Sequence, residues 1–227
     1  KTNAIKKDDD YIINGQKMWI TNATQADFFC TLVNTSNDLP HKNKSLIIIP
    51  AKTKGVKIGE KIDKIGLRSS DTAPIYFDEV RVPQRYRIGI EGEGFTMQMK
   101  QFQEERIFLS ASCLVILDDC VKQTINYCNE RSAFGKKIID NQAIQFKLAE
   151  LQTEIESLRS LVYRACEEFI ESGDMTYLAS MAKLKSGRLL RETADTCLQY
   201  WGGMGFTWEN PLAKLYRDGR LMSIGGG

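Results

Sequence analysis

The sequence contains a single histidine, His41, in 227 residues. That excludes a histidine-rich metal centre and any catalytic design that draws two histidines from one chain. Six cysteines are present (Cys30, Cys113, Cys120, Cys128, Cys166 and Cys197), but no two form a C-x-x-C pair, so neither a zinc knuckle nor a thioredoxin-like motif is indicated. Five of the six fall in segments that read as helical and apolar, as free buried thiols of a reducing compartment would. Neither sign of charge dominates: 31 basic residues against 29 acidic leave a net charge of +2. A nucleic-acid-binding surface would show a clear basic excess. No uncharged apolar run approaches the ~20 residues of a membrane span. The composition is otherwise that of a folded globular chain, with 42% hydrophobic and 26% charged residues. The length suits one large domain or two modest ones. The chain starts at Lys1 and closes on Gly225-Gly226-Gly227. Both ends read as cut points within a longer sequence, so no targeting signal is legible.

The hydrophobic period changes near residue 92. Before it the chain reads as β. Two short apolar runs flank Asn14-Gly15, a pair that favours the positive φ angles of a type I′ turn, and this predicts a hairpin. Phe28–Val33, Ser45–Ile49 and the weaker Val56–Ile58 are further strands. Ile75, Phe77 and Val80 mark another, which Pro83 stops. Lys1–Asp10 could be a partial strand that has lost its partners. Strands of this length and spacing predict an antiparallel sandwich or barrel.

After the glycine-punctuated link Ile90-Glu91-Gly92-Glu93-Gly94, steps of three and four take over. Ile107, Ala111, Leu114, Leu117, Val121, Ile125 and Cys128 line one helical face. Ile144, Leu148, Leu151, Ile155, Leu158, Val162, Cys166 and Phe169 line a second. A third helix runs from about Met175 to Tyr200 and stops at Gly202-Gly203, and a short fourth starts near Pro211. The predicted class is α+β: an antiparallel β-domain over 1–91, then an antiparallel four-helix-bundle-type domain over 92–227.

Four constellations carry chemical potential. Glu104 and Glu105 stand early in the first long helix, where the macrodipole favours acidic residues whatever their role; a carboxylate there also has the chemistry to remove a proton. Arg131, with Phe134, Gly135, Lys136, Lys137 and Gln142, forms a cationic corner where a helix ends. It suits either an ordinary basic helix terminus or a phosphate held in bidentate fashion. Gln199 through Phe206 holds three glycines in four positions, which permits a ligand's close approach or simply a tight turn; it follows no predicted strand and so fails the test for a dinucleotide fold. Trp19-Ile20-Thr21-Asn22 leaves a strand, with Trp19 either packed on the sheet or set beside a flat aromatic group.

Taken in this order, the motifs resemble those of the acyl-CoA dehydrogenase family of flavoproteins. Asn14–Asn22 resembles the signature of that family's middle β-domain. Gly66–Thr72 and Phe77–Pro83 match its next stretch. Arg131-x-x-Phe134-Gly135-Lys136 with Gln142, then Gln199, Gly202-Gly203-x-Gly205-Phe206 and Tyr216-Arg217-Asp218, resemble its helical domain. The likeness covers nearly the whole chain. It implies that an N-terminal helical domain precedes Lys1 and that a last helix follows Gly227.

The resemblance implies FAD-dependent α,β-dehydrogenation of an acyl-CoA to a trans-2-enoyl-CoA, with electrons passed to an electron-transferring flavoprotein. Many members carry the base at the position matching Gly226, and glycine cannot serve. Long-chain and isovaleryl types carry it at the position of Glu105, which is therefore the implied base; Glu104 would point ~100° away around the helix. The backbone N–H of Gly226 is the implied donor to the thioester oxygen. Phe102 and Arg106 match substrate-binding positions. Trp19 and Thr21 match positions lining the flavin. Arg131, Phe134, Ile138, Gln142, Gln199 and Gly203 match positions that contact FAD from a neighbouring subunit, which implies a homo-oligomer, usually a dimer of dimers. Ala133 stands where a threonine is frequent, removing one phosphate contact, and Asn141 replaces a frequent histidine. No metal is implied.

An oxidase that uses oxygen and a non-catalytic assembly member are the competing readings. The implied location is the mitochondrial matrix in a eukaryote and otherwise the cytoplasm, with the peroxisome as an alternative. These 227 residues alone are expected to bind FAD weakly and to lack turnover.

Overall fold

A computed structural model of the chain describes residues 1–226. The chain divides into two compact units at Lys100 and Gln101. The first is built on one seven-stranded sheet. Its strands are β1 (Thr2–Lys7), β2 (Asp10–Thr21), β3 (Phe28–Asn34), β4 (Lys44–Pro50), β5 (Val56–Ile58), β6 (Thr72–Pro83) and β7 (Arg87–Ile88). Laterally they run β5-β6-β2-β1-β3-β4-β7. Pairing is antiparallel except where Asn3 of β1 meets Asn34 of β3 in parallel. Alternation decides which side chains enter the core. Phe29, Thr31 and Val33 of β3 are buried, as are Ser45, Ile47 and Ile49 of β4, with the residues between them more exposed. Tyr11, Ile13, Ile75, Phe77, Val80 and Val82 complete the apolar interior.

This unit departs from its sequence pattern at two places. Asn14-Gly15 is not a turn. It lies inside β2, at a register shift against β6. Asn14 spends its side chain across that irregularity: its Oδ1 accepts from the Glu79 N–H at 2.8 Å, and its Nδ2 donates to the Glu79 carboxylate. Gly15 has φ +134°, and a Cβ there would fall 2.2 Å from the Lys1 carbonyl oxygen. Glycine is therefore required by a bulge and by a close backbone approach, a use the dipeptide shares with turns. The hairpin closes earlier, at Asp8-Asp9 between Lys7 and Asp10, with Asp8 at φ +54°. Nor does the N-terminal segment lack partners: β1 pairs with β2 along its whole length.

The second unit is helical. The helices are α1 (Gly94–Glu130, which begins in the first unit), α2 (Gln142–Ser172), α3 (Thr176–Tyr200) and α4 (Pro211–Asp218). With a β-sheet unit followed by four helices, the chain has the α+β class that its change of period predicts. Leu148, Leu151, Ile155, Leu158 and Val162 are buried along α2, and Leu117, Ala182 and Leu190 join them in one core. Helix ends follow local chemistry. Gly173 stops α2 in the left-handed conformation at φ +74°. The Asn210 carboxamide oxygen accepts from the Leu212 and Ala213 N–H groups, and Pro211 occupies the first turn of α4.

Between α1 and α2, at the cationic corner, the chain forms a small hairpin that no alternation in the sequence announces. Ser132–Ala133 (β8) pairs with Lys136–Lys137 (β9), and the two-residue loop Phe134-Gly135 has φ +54° and +80°. Positive φ at both central positions is the type I′ signature predicted for Asn14-Gly15 and found here instead. All six cysteines are free; Cys113, Cys120, Cys128 and Cys197 are buried, Cys166 is half-buried and Cys30 is exposed. Among the described residues, no helix is long and apolar enough to cross a membrane, and no cluster of three or more His, Cys, Asp or Glu could hold a metal ion.

Candidate functional site

In the helical unit the candidate base and the candidate oxyanion donor belong to segments tied to each other. Glu105 is half-buried on α1, whereas Glu104 beside it is exposed. Arg106, the next residue, donates from Nε to the Gly226 carbonyl oxygen at 3.1 Å and from a terminal nitrogen to Ser180 Oγ at 3.2 Å. Two residues before Glu105, Gln103 accepts from the Met175 N–H at 3.2 Å and so holds the start of α3. Phe102, half-buried, lies on the same stretch of α1.

The segment that ends in Gly226 is a tight turn. The N–H groups of Ile224 and Gly225 both donate to the Leu221 carbonyl at 2.8 Å. Gly226 itself has φ +78°. Among the described residues nothing accepts from its N–H. A backbone donor left free while its own carbonyl is anchored is suited to charge that develops on a ligand oxygen.

The cationic corner is the hairpin described above. Arg131 is exposed, and among the described residues no side-chain hydrogen bond or ion pair engages it. The Phe134 ring is fully exposed on the turn. Ile138 donates its N–H to the Arg131 carbonyl at 2.9 Å, which folds the corner back on itself, and Gln142 opens α2 with its side chain exposed. Gln199 and Gly203 lie at the far end of α3, both exposed. What brings these two corners together is an aromatic pair. Tyr127, one helical turn before Arg131, stacks on Trp201, which stands between Gln199 and Gly203; the ring centroids are 4.1 Å apart. At Gly202 and Gly203 an added Cβ would meet nothing within 4 Å, whereas at Gly205 it would fall 2.6 Å from the Leu198 carbonyl. Of the three glycines, then, Gly205 serves packing, and the other two leave open space at the surface.

Trp19 and Thr21 belong to the β unit, at the end of β2. A second register shift against β6, between Lys17 and Ile20, puts Trp19 at φ +62° and leaves the residue 68% exposed. A bulky residue held in the left-handed region is strained, and such strain gathers where a side chain must be aimed. Thr21 is exposed beside it, and the turn that follows is locked by Asp71. The Asp71 carboxylate accepts from the Thr24 N–H at 2.8 Å and from Gln25 Nε2 at 2.7 Å, while its carbonyl accepts from the Asn22 N–H at 3.2 Å. The Thr24 N–H above all holds the Asp71 carboxyl below the usual aspartate range.

Within the β unit the exposed Trp19 offers an aromatic face of the kind that packs on a flat ring, and within the helical unit the unengaged Arg131 guanidinium and the open surface at Gly202 and Gly203 suit a phosphate-bearing chain; the residues of each unit, taken by itself, fit a part of FAD. Two residues have contacts that the sequence does not mark: Asp71, which holds the turn after Thr21, and Lys183 of α3, whose Nζ donates to the Met222 carbonyl in the segment leading to Gly226. Both act through partners distant in sequence, and no local pattern marks them; Lys183 reaches a carbonyl 39 residues away.

Comparison with known proteins agrees with both units. Residues 1–80 match the family model described as "Acyl-CoA dehydrogenase, middle domain", and residues 92–227 match "Acyl-CoA dehydrogenase, C-terminal domain". The chain is 34% identical over 224 residues to the mitochondrial short/branched chain specific acyl-CoA dehydrogenase of Bos taurus, which covers 99% of the chain and 52% of that protein. It is 36% identical over 230 residues to the mitochondrial long-chain specific acyl-CoA dehydrogenase of Sus scrofa, covering 100% of the chain and 53% of that protein. The chain thus spans about half the length of the curated relatives it matches. The crystal structure of an acyl-CoA dehydrogenase from Geobacillus kaustophilus superposes with a TM-score of 0.96 at 35% identity, covering 100% of this chain and 60% of that one.

Proposed function

The chain belongs to the acyl-CoA dehydrogenase family, and from that premise we propose that the protein is an FAD-dependent enzyme that dehydrogenates an acyl-CoA thioester to a trans-2-enoyl-CoA. The observation that carries this reading is the tie from Arg106 to the Gly226 carbonyl, which links the α1 turn bearing Glu105 to a turn whose Gly226 N–H is free among the described residues. In the proposed reaction Glu105 takes the α-proton. The Gly226 N–H donates to the thioester oxygen, so the charge that builds on that oxygen meets a donor already in place. FAD, when bound, accepts the β-hydride. Arg106 and Phe102 flank Glu105 and position the acyl chain.

The cofactor assignment gives Trp19 and Thr21 the flavin ring. Arg131, Phe134, Ile138, Gln142, Gln199 and Gly203 take the phosphate and adenine end across a subunit boundary. The exposed apolar rings of Phe134 and Phe206 support a homo-oligomer, with a dimer of dimers as the assembly. An electron-transferring flavoprotein is the proposed acceptor. Residues 1–91 and 92–227 are assigned as the middle and C-terminal domains, in keeping with the two family models. The mitochondrial names of both curated relatives support a matrix location if the source is a eukaryote.

The test is anaerobic addition of acyl-CoA to the full-length, FAD-loaded protein and to its Glu105→Gln variant. The wild type should bleach the flavin, whereas Glu105→Gln should keep its FAD and lose about 10²–10⁴ in the rate of bleaching. Near-normal bleaching in the variant would remove Glu105 from the role. Steady formation of hydrogen peroxide with no flavoprotein acceptor would make the protein an oxidase.

A further inference from the structure

One buried cation takes no part in the mechanism above. Lys183 lies on α3, only 5% exposed. Its Nζ donates to the Met222 carbonyl oxygen at 2.8 Å. The same face of α3 grips the turn again one helical turn on, where Ser223 Oγ donates to the Gly187 carbonyl at 2.7 Å. Gly187 is small of necessity there, since a Cβ would fall 3.0 Å from both the Met222 carbonyl oxygen and Ser223 Oγ. At the end of the turn an added Cβ on Gly226 would lie 3.3 Å from Lys183 Cε and 3.3 Å from Leu109 Cδ1, so the Lys183 stem forms part of the floor beneath Gly226. The turn is therefore fixed from two helices, by Lys183 and Gly187 of α3 and by Arg106 of α1, and among the described residues the Gly226 N–H is left free.

We propose that Lys183 is a positioning residue for the reaction, holding the Met222–Gly226 turn so that the Gly226 N–H is already in place for the thioester oxygen. The proposal rests on the reading of Gly226 as the oxyanion donor. Burying an ammonium is costly, and the cost is offset here only by bonds such as that to Met222. Burial pulls Lys183 below the ordinary lysine range; the Cys113 thiol and, more weakly, Glu105 oppose that, and Arg106 adds to it. A lysine kept at such a cost where leucine or methionine would fill the same volume argues for a use beyond packing. Because the turn supplies a backbone donor and no side chain, its placement is the whole of its contribution, and a displacement of ~1 Å can cost ~10²-fold in rate.

The experiment uses the full-length, FAD-loaded enzyme and its Lys183→Met variant, which keeps the stem and removes the donor. Two quantities are measured. One is kcat and KM for acyl-CoA. The other is the infrared C=O stretch of a bound enoyl-CoA with an isotope-labelled thioester carbonyl, a readout that a merely structural lysine would not move. The wild type should shift the stretch to lower frequency. Lys183→Met should lose most of that shift and about 10–100-fold in kcat with KM little changed, and Lys183→Arg should recover part of both. Should Lys183→Met fail to fold, Ser223→Ala, which removes the neighbouring tie at an exposed residue, should move the same band in the same direction by a smaller amount; no movement there rejects the proposal. An unchanged stretch in Lys183→Met with kcat within about twofold of wild type rejects it while leaving the Gly226 reading intact. Absence of the shift in the wild type rejects the Gly226 reading and the proposal with it.

Discussion

The indole of Trp201 lies face to face with the phenol ring of Tyr127, the centroids 4.1 Å apart and the planes within 9° of parallel. Two hydrogen bonds reinforce the pair: Tyr127 Oη donates to the Trp201 carbonyl at 3.3 Å, and Trp201 Nε1 donates to Thr124 Oγ1 at 3.4 Å. The stack joins the end of α1 to the end of α3, and each end leads directly into one of the two corners assigned to FAD.

Removal of this pair should therefore loosen both corners. Trp201→Ala loses the stack and the indole bond, and should lower the stability of the full-length protein by about 3 kcal/mol. Tyr127→Phe keeps the ring and loses one hydrogen bond, at a cost of about 1 kcal/mol. Urea midpoints give the stabilities, and flavin released on dilution gives the effect on the cofactor. Trp201→Ala should release FAD more readily than Tyr127→Phe, and equal release would show that the stack does not support the site.

Two glycines with positive φ should respond very differently to alanine. At Gly15 the added Cβ would fall 2.2 Å from one backbone atom and 2.7 Å from another. Neither can yield without opening the β1–β2 pairing, so Gly15→Ala should cost more than about 3 kcal/mol. At Gly135 nothing lies within 4 Å, and only the conformational penalty remains, about 1–2 kcal/mol. Thermal unfolding of the two variants side by side checks the order, and a Gly135→Ala loss as large as that of Gly15→Ala would contradict it.

The lock at Asp71 should show in the acid limb of stability. Hydrogen bonds to its carboxylate depress the folded-state value below the ordinary 3.8. A depressed carboxylate contributes stability that is complete above the unfolded value and is lost as pH falls through the folded one. Asp71→Asn should thus be less stable than wild type near neutrality, and the difference should shrink below about pH 4. Denaturant midpoints measured from neutral pH down to about pH 2 give the comparison, and a difference that stays constant with pH would rule out the carboxylate as its source.

The helices were legible because their apolar residues repeat over many turns, and a period held for that long leaves little room for another reading. The candidate site residues were legible only through resemblance: Glu105 on spacing alone is one acidic residue on a long helix, and because α1 starts at Gly94 it lies about three turns in, beyond the reach of the helix macrodipole that the sequence suggested for it. The local failures share a cause. Asn14-Gly15 and Phe134-Gly135 offer the same backbone permission, and only the partners decide its use. At Gly15 the crowding by Lys1 and the bond from Asn14 to Glu79 come from other strands. At Phe134-Gly135 the short pairing of Ser132 with Lys137 closes the turn. Trp19 likewise gives no local sign that it will sit at positive φ, because its bulge is created by the register with β6. Lys183 reads in the sequence as one more cation on a helix; its burial depends on a turn far along the chain.

The Phe134 ring stands clear of its own chain at the tip of a closed two-residue loop. Its backbone has already surrendered its freedom in folding, so any neighbour that receives the ring need immobilise only two side-chain torsions. In the oligomer proposed above, a partner would meet a ring already presented at the tip of a closed loop, and the fit would depend on the hollow it offers more than on any refolding of this corner.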